Sequence, residues 1–266
     1  MKKVLIPEIP NTLPDLFKKY TQKARIYDSS CSPEARVYFI ESEQERDSGF
    51  YLKRASKGSL SREAQMTGYF HSLGLGAEVM EYSSDGEYDY LLTRGIIGED
   101  CTHKDFLSDP ARLARTIGTL LRALHETSPN GCPVTNRVAE YLALAKSNYE
   151  SGNYDKSNFP DSFGYRCAEE AYAVLEEGKH LLTSDTLIHG DFCLPNIILT
   201  DWRLSAFIDV GNGGIGDRHI DLFWGAWTLW FNLKTNAYRD TFLDAYGRDK
   251  VNEDALRVVA AAEVFG

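Results

Sequence analysis

The stretch from Leu187 to Asp217, "LIHGDFCLPNIILTDWRLSAFIDVGNGGIGD", decides how the rest of the chain is read. Its runs "IILT" and "LSAFID" are apolar and bounded by Gly, Pro, Asn and Asp, the pattern of short buried strands. His189, Asp191, Asn196 and Asp209 stand at the ends of those runs. Charge is costly away from water, so carboxylates beside buried strands need a reason. Asp and Asn are also ordinary turn formers, and residue type alone leaves both roles open.

Spacing separates them. Four residues lie between Asp191 and Asn196, the gap of the kinase catalytic loop H-R-D-x-x-x-x-N, and Asp209-Val210-Gly211 closes an apolar strand thirteen residues after Asn196. Magnesium takes near-octahedral oxygen ligation from one or two carboxylates or amides plus phosphate oxygens, which Asn196 and Asp209 could supply. The amide would ligate without adding negative charge beside a triphosphate. Phosphoryl transfer has a loose transition state, so Asp191 need only orient an acceptor hydroxyl and take its proton late, and need not be a strong base. His189 is expected to brace the loop through the backbone.

This reading makes demands upstream. "ARIYD", "ARVYFIES" and "GFYLKRA", residues 24–55, read as strands of an antiparallel meander. Alternation puts Tyr51 and Lys53 on one face of the third. "SLSREAQMTGYFHSL" has helical spacing and carries Glu63, so a Lys53–Glu63 pair can aim the ammonium at phosphates, where lysine acts as a compact charge. "EVMEY" and "YDYLLTR" add two short strands. The loop "SSCSPEAR" between the first two strands lacks G-x-G-x-x-G but offers the hydroxyls of Ser30 and Ser32, and no P-loop signature occurs in the chain.

Downstream the period changes. Asp109-Pro110 is a helix start, followed by the stripe Leu113, Ile117, Leu120, Leu121 and Leu124. "NRVAEYLALAKSNYE", "YRCAEEAYAVLEEGKHLL", "HIDLFWGAWTLWFN", "AYRDTFLDAYG" and "EDALRVVAAAEVF" also read as helices, with a polar loop at 151–162. Trp224, Trp227 and Trp230 in "FWGAWTLWF" lie three apart; the stripe could form a substrate-stacking wall, but buried core is the expected role. The class is therefore α+β: a sheet with one helix over residues 1–97, then a mainly helical part over 98–266.

The net charge of −10, from 29 Lys and Arg against 39 Asp and Glu, argues against a nucleic-acid partner and suits a cationic small molecule. Five scattered cysteines without Cys-x-x-Cys spacing suggest neither disulfides nor zinc, and a reducing, cytoplasmic setting is expected. No run approaches the ~20 apolar residues of a membrane span, and no obligate protein partner is indicated.

With "SPEARVYFI", "FYLKRA", "LIHGDFCLPNIIL", "FIDVGNGGIGDRHIDL" and "AEVF" in this order, the chain resembles the aminoglycoside phosphotransferases over nearly its whole length, most closely the aminoglycoside 3'-phosphotransferase group. That resemblance implies a bilobal protein-kinase-like fold, with an N-terminal nucleotide-binding lobe and a C-terminal catalytic and substrate-binding lobe. It implies ATP or GTP with Mg2+, and transfer of the γ-phosphoryl group to a hydroxyl, the 3' position in that group, of a cationic aminosugar antibiotic, conferring resistance. By position it makes Asp191 the catalytic base, Asn196 and Asp209 the metal ligands, and Lys53 and Glu63 the phosphate-holding pair. Ser32 would touch phosphate, Tyr51 would stack on the base, and Arg94 and Ile96 would read its edge through their backbone. Asp161, Glu263 and the Phe265 end would hold the aminosugar.

Two positions depart from that family's pattern: Asn212 stands where an arginine commonly follows Asp-x-Gly, and Ala262 replaces an acidic residue before Glu263. A kinase of the same fold acting on choline, ethanolamine, homoserine, a macrolide or another metabolite would share Lys53, Asp191, Asn196 and Asp209. A catalytically dead nucleotide-binding module would not need every one of these positions filled. A metallohydrolase on His189, Asp191 and Asp209 would want a second clustered histidine, which the sequence lacks.

Overall fold

Strand alternation sets the first part of the structure, a computed structural model that describes residues 3–9, 13–31, 33–41, 49–155 and 163–266. Strands β1 (Val4–Ile6), β2 (Arg25–Asp28), β3 (Ala35–Glu41), β4 (Phe50–Ser56), β5 (Val79–Ser84) and β6 (Tyr88–Arg94) make one antiparallel sheet in the order β1-β2-β3-β4-β6-β5. Phe50 and Leu52 of β4 are buried in a core with Phe17, Ile40 and Tyr90, while Tyr51 and Lys53 between them point to the other face. Helix α2 (Ser61–Ser72) buries Met66, Thr67 and Phe70.

Two elements of this region lack a legible signal in the sequence. Strand β1 is three residues long and takes its identity from pairing with β2, and α1 (Lys18–Thr21) is a single turn. Neither is long enough to show a period.

A second antiparallel sheet joins β7 (Glu99–Asp100), β9 (Ile197–Thr200) and β10 (Arg203–Phe207), ordered β10-β9-β7. Asp201 and Trp202, at φ of 51° and 64°, make the left-handed two-residue turn that a tight hairpin requires. By internal contacts both sheets belong to one unit, Met1–Cys101 with Pro195–Asn212, and the remainder, Thr102–Leu194 with Gly213–Gly266, forms the other.

That other unit is mostly helical: α3 (Lys104–Leu107), α4 (Pro110–Glu126), α5 (Arg137–Ser151), α6 (Ala168–Gly178), α7 (Arg218–Leu233), α8 (Arg239–Tyr246) and α9 (Glu253–Glu263), with β8 (Thr186–Ile188) paired to β11 (Gly214–Gly216). Asp109 caps α4 by accepting from the Arg112 amide at 3.1 Å, and Leu113, Ile117, Leu121 and Leu124 form its buried stripe. Gly118 lets α8 lie close, since a Cβ there would run into the Phe242 carbonyl.

The α7 tryptophans meet the core expectation only in part: Trp224 packs, partly buried, against the core, and Trp227 is partly buried. The buried face of α7 is Ile220, Asp221, Leu222, Gly225, Thr228 and Leu229, whereas Trp230 and Phe231 are 40% and 47% exposed. Three aromatics spaced by three follow the helix round rather than staying inside it. No helix among the described residues is long and apolar enough to cross a membrane.

Candidate active site

In the sheet unit, Lys53 is held by its neighbours on two elements. Its ammonium lies 2.9 and 2.8 Å from the two oxygens of Glu63 on α2, and 3.1 Å from Asp209 Oδ1. Burial disfavours the Lys53 charge, but the Asp209 and Glu63 carboxylates outweigh it and hold the pKa above the usual lysine value. Burial raises Glu63, opposed by Lys53. The Asp-x-Gly turn makes this contact possible: Gly211 has no Cβ, and one would press on Glu63 Cβ at 3.2 Å. Asp209 itself sits at φ 55°, a left-handed conformation costing a non-glycine residue on the order of 1 kcal/mol, with a side chain 52% exposed.

These residues line a cavity of about 700 Å³ together with Tyr51, Arg94 and Ile96. Tyr51 tilts against Phe39 with ring centroids 5.0 Å apart, and burial raises its hydroxyl pKa. The Lys3 ammonium lies 3.2 Å from the Phe39 ring centroid, a contact that the sequence does not foretell. Arg94 pairs with Glu78 at 2.8 Å, which leaves its guanidinium directed at β5. Asn196 is buried, and its carbonyl accepts from the Ile208 amide at 3.0 Å, tying its backbone to the segment between β10 and Asp209. Ser32 and Asp161 lie outside the described residues.

In the helical unit, β8 delivers the 189–194 loop. Phe192 and Leu194 are buried, and Asp191 between His189 and Phe192 is half-buried. The Asp191 amide donates to His189 Nδ1 at 3.3 Å, so the histidine does brace the loop. Most of the support comes from α7. Asp221 accepts from the His189 and Gly190 amides, both at 2.7 Å, and Thr228 Oγ1 accepts from the Leu194 amide at 3.2 Å.

Asp221 is backed in turn by His125 Nε2 at 3.1 Å, whose Nδ1 faces the Tyr246 hydroxyl at 2.9 Å. Burial lowers the His125 pKa against the pull of Asp221, so a neutral ring donating to the carboxylate and accepting from the tyrosine satisfies all three groups. Asp221 belongs to none of the catalytic spacings that the sequence displays. The available signal was an acid inside the otherwise buried helical run "HIDLFWG".

At the C-terminus, Glu263 Oε1 accepts from the Tyr141 hydroxyl at 2.8 Å and from Trp224 Nε1 at 3.1 Å. Burial pushes its carboxyl up to about 7, the two donors pull it down, and the Asp191 charge adds to the rise. Phe265 is fully buried against Tyr149, Tyr154 and Tyr172, and its carbonyl accepts from Asn148 Nδ2 at 2.7 Å. It anchors the turn that carries Glu263.

The sheet unit holds a lysine between a helical glutamate and an Asp-x-Gly carboxylate, and the helical unit, taken by itself, carries an aspartate on a braced loop; both are parts of a phosphotransferase of kinase-like fold. The chain belongs to the phosphotransferase enzyme family, whose pattern matches residues 33–259. It is 47% identical over 253 residues to a probable aminoglycoside 3'-phosphotransferase of Lactococcus lactis subsp. lactis (strain IL1403), covering 95% of each chain. Among solved structures, it is similar to the aminoglycoside-3'-phosphotransferase of type VIII, with a TM-score of 0.70 at 22% identity over 90% of this chain and 92% of that one. The aminoglycoside phosphotransferase APH(3'')-Id of Streptomyces rimosus, solved with ADP and streptomycin, gives a TM-score of 0.70 at 21% identity over 86% of this chain and 90% of that one. The bilobal kinase-like α+β fold expected from the sequence is the fold of these neighbours.

Proposed function

We propose that the chain transfers the γ-phosphoryl group of ATP, or GTP, to a hydroxyl of an aminoglycoside, the 3' position being the one its curated relatives are named for, and so confers resistance. The observation that carries phosphoryl transfer is the Lys53 ammonium fixed by Glu63 and Asp209 on a cavity wide enough for a nucleotide. Residues 1–97 act as the nucleotide-binding lobe and residues 98–266 as the catalytic and substrate-binding lobe.

Lys53 takes the α- and β-phosphates, exchanging part of its contact with Asp209 for phosphate oxygens. Tyr51 stacks on the base, the backbone from Arg94 to Ile96 reads its edge, and Ser32 contacts phosphate. The donors fit magnesium: Asp209 offers a half-exposed hard carboxylate and Asn196 a neutral amide oxygen. When bound, the ion neutralises charge on the phosphates. Asp191 orients the acceptor hydroxyl and receives its proton as the new P–O bond forms. Its loop is fixed by Asp221 and Thr228, so orientation is built before the acceptor arrives.

Glu263 and Asp161 receive ammonium groups of the acceptor, and Phe265 holds the Glu263 turn in place. The setting is the cytoplasm, to which five free cysteines are suited. The test is turnover of ATP and GTP with kanamycin and with choline, and the phosphorylated position read by NMR. Kanamycin-stimulated turnover with a 3'-phosphate is expected; absence of stimulation by kanamycin overturns the reading, and stimulation by choline alone reassigns the acceptor.

A further inference from the structure

On α7, Asp221, Trp224, Thr228 and Phe231 recur at intervals of three and four and share one stripe, with Trp227 beside it. Asp221 and Thr228 hold the Asp191 loop, and Trp224 donates to Glu263. The same stripe then continues outward into rings. Trp224 meets Trp227 edge-on at 5.3 Å, and Trp227 lies nearly parallel to Phe231, with planes 12° apart and centroids at 4.9 Å. Phe231 is 47% exposed, so one end of this stripe is open to solvent.

A cation already lies on it. Lys234, the αL residue that ends the helix, places its ammonium 4.2 Å from the Phe231 centroid. The face is therefore competent for a cation, and the cation it holds is a flexible, exposed side chain that another ammonium can displace.

We propose that Trp227 and Phe231 form an aromatic subsite for an ammonium-bearing ring of the acceptor, which Lys234 occupies as an internal competitor until the acceptor displaces it. This rests on the phosphotransferase reading above. It differs from recognition by carboxylates in that its strength depends on rings and is opposed by a lysine of the same chain.

The test uses the full chain, MgATP and kanamycin. Phe231→Leu keeps apolar bulk and removes the π face, and the acceptor KM is expected to rise about 5- to 30-fold with the ATP KM unchanged. Lys234→Met is expected to lower the acceptor KM about threefold. In the double variant the Lys234 effect should vanish, because without the ring there is nothing to compete for.

An unchanged acceptor KM in Phe231→Leu, or a raised one in Lys234→Met, overturns the subsite. If the wild-type chain does not phosphorylate kanamycin, the phosphotransferase reading fails separately. The subsite is then read by titrating kanamycin against tryptophan fluorescence: a change abolished by Phe231→Leu supports it, and an unchanged emission overturns it.

Discussion

Asp209 and Asp221 are twelve positions apart and do opposite work. Asp209 is half exposed in a strained turn, shares the Lys53 ammonium with Glu63 and faces a cavity. Asp221 is fully buried, and its two oxygens are consumed by the His189 and Gly190 amides and by His125. The sheet unit keeps its charge available for a ligand, whereas the helical unit spends one on holding a loop still. An acid with unused oxygen lone pairs on a cavity wall can do chemistry; an acid whose lone pairs are filled inside the protein is scaffold.

The largest effects should fall on turnover. Asp191→Asn is expected to lower kcat by ~10²–10⁴-fold, the range for a lost general base, while nucleotide affinity by calorimetry stays unchanged. Asp209→Asn is expected to abolish measurable turnover as well, with a stability change within ~1 kcal/mol, since the Lys53–Asp209 pair is partly solvated and Glu63 keeps the lysine. Unchanged kcat in Asp191→Asn would remove the assignment of the base. A large loss of stability in Asp209→Asn would erase the contrast with Asp221.

The complementary experiment is Asp221→Ala. It leaves the His189 and Gly190 amides and a buried histidine without their acceptor, and a loss of roughly 3–5 kcal/mol in urea unfolding is expected. Turnover should fall with it, because the loop bearing Asp191 loses its anchor. His125→Gln, which retains a donor, should cost less than Asp221→Ala; the reverse order would show that the histidine, not the aspartate, carries the network.

The same contrast explains what the sequence discloses. The Lys53–Glu63–Asp209 cluster is legible because residue type and spacing in the motifs already point to it, and alternation in "FYLKRA" gives the face of Lys53 from local geometry alone. Asp221, His125 and Tyr246 are not, because what joins them is packing between α4, α7 and α8, far apart in the chain. The α7 tryptophans, of which Trp224 packs against the core and Trp230 is exposed, depart from the expectation in a different way. Their spacing of three matches a helical stripe, but the buried face is set by which neighbours reach it, and the smaller Gly225, Thr228 and Leu229 fill that side. Strand β1 is invisible for want of length, since its partner defines it.

The smallest effect, and the one that tests whether Glu263 belongs with the ligand-facing acids or the buried ones, is pH dependence. Its carboxyl is raised to about 7 by burial, against an unfolded value near ~4.3. Between those values the unfolded chain has released a proton that the folded chain retains. The stabilisation is therefore complete below about pH 4, declines as pH rises and is gone above about pH 7, an upper bound on the order of 4 kcal/mol. Glu263→Gln should flatten that decline. Acceptor binding should run the other way: an ammonium at Glu263 favours the ionised form, so the kanamycin KM falls as pH rises through about 7, and this dependence too should disappear in Glu263→Gln. If the stability slope flattens while the KM slope persists, Glu263 is scaffold like Asp221. If both vanish, the one carboxyl is buried and ligand-facing at once, because Tyr141 and Trp224 both bind Oε1 and leave Oε2 for the acceptor.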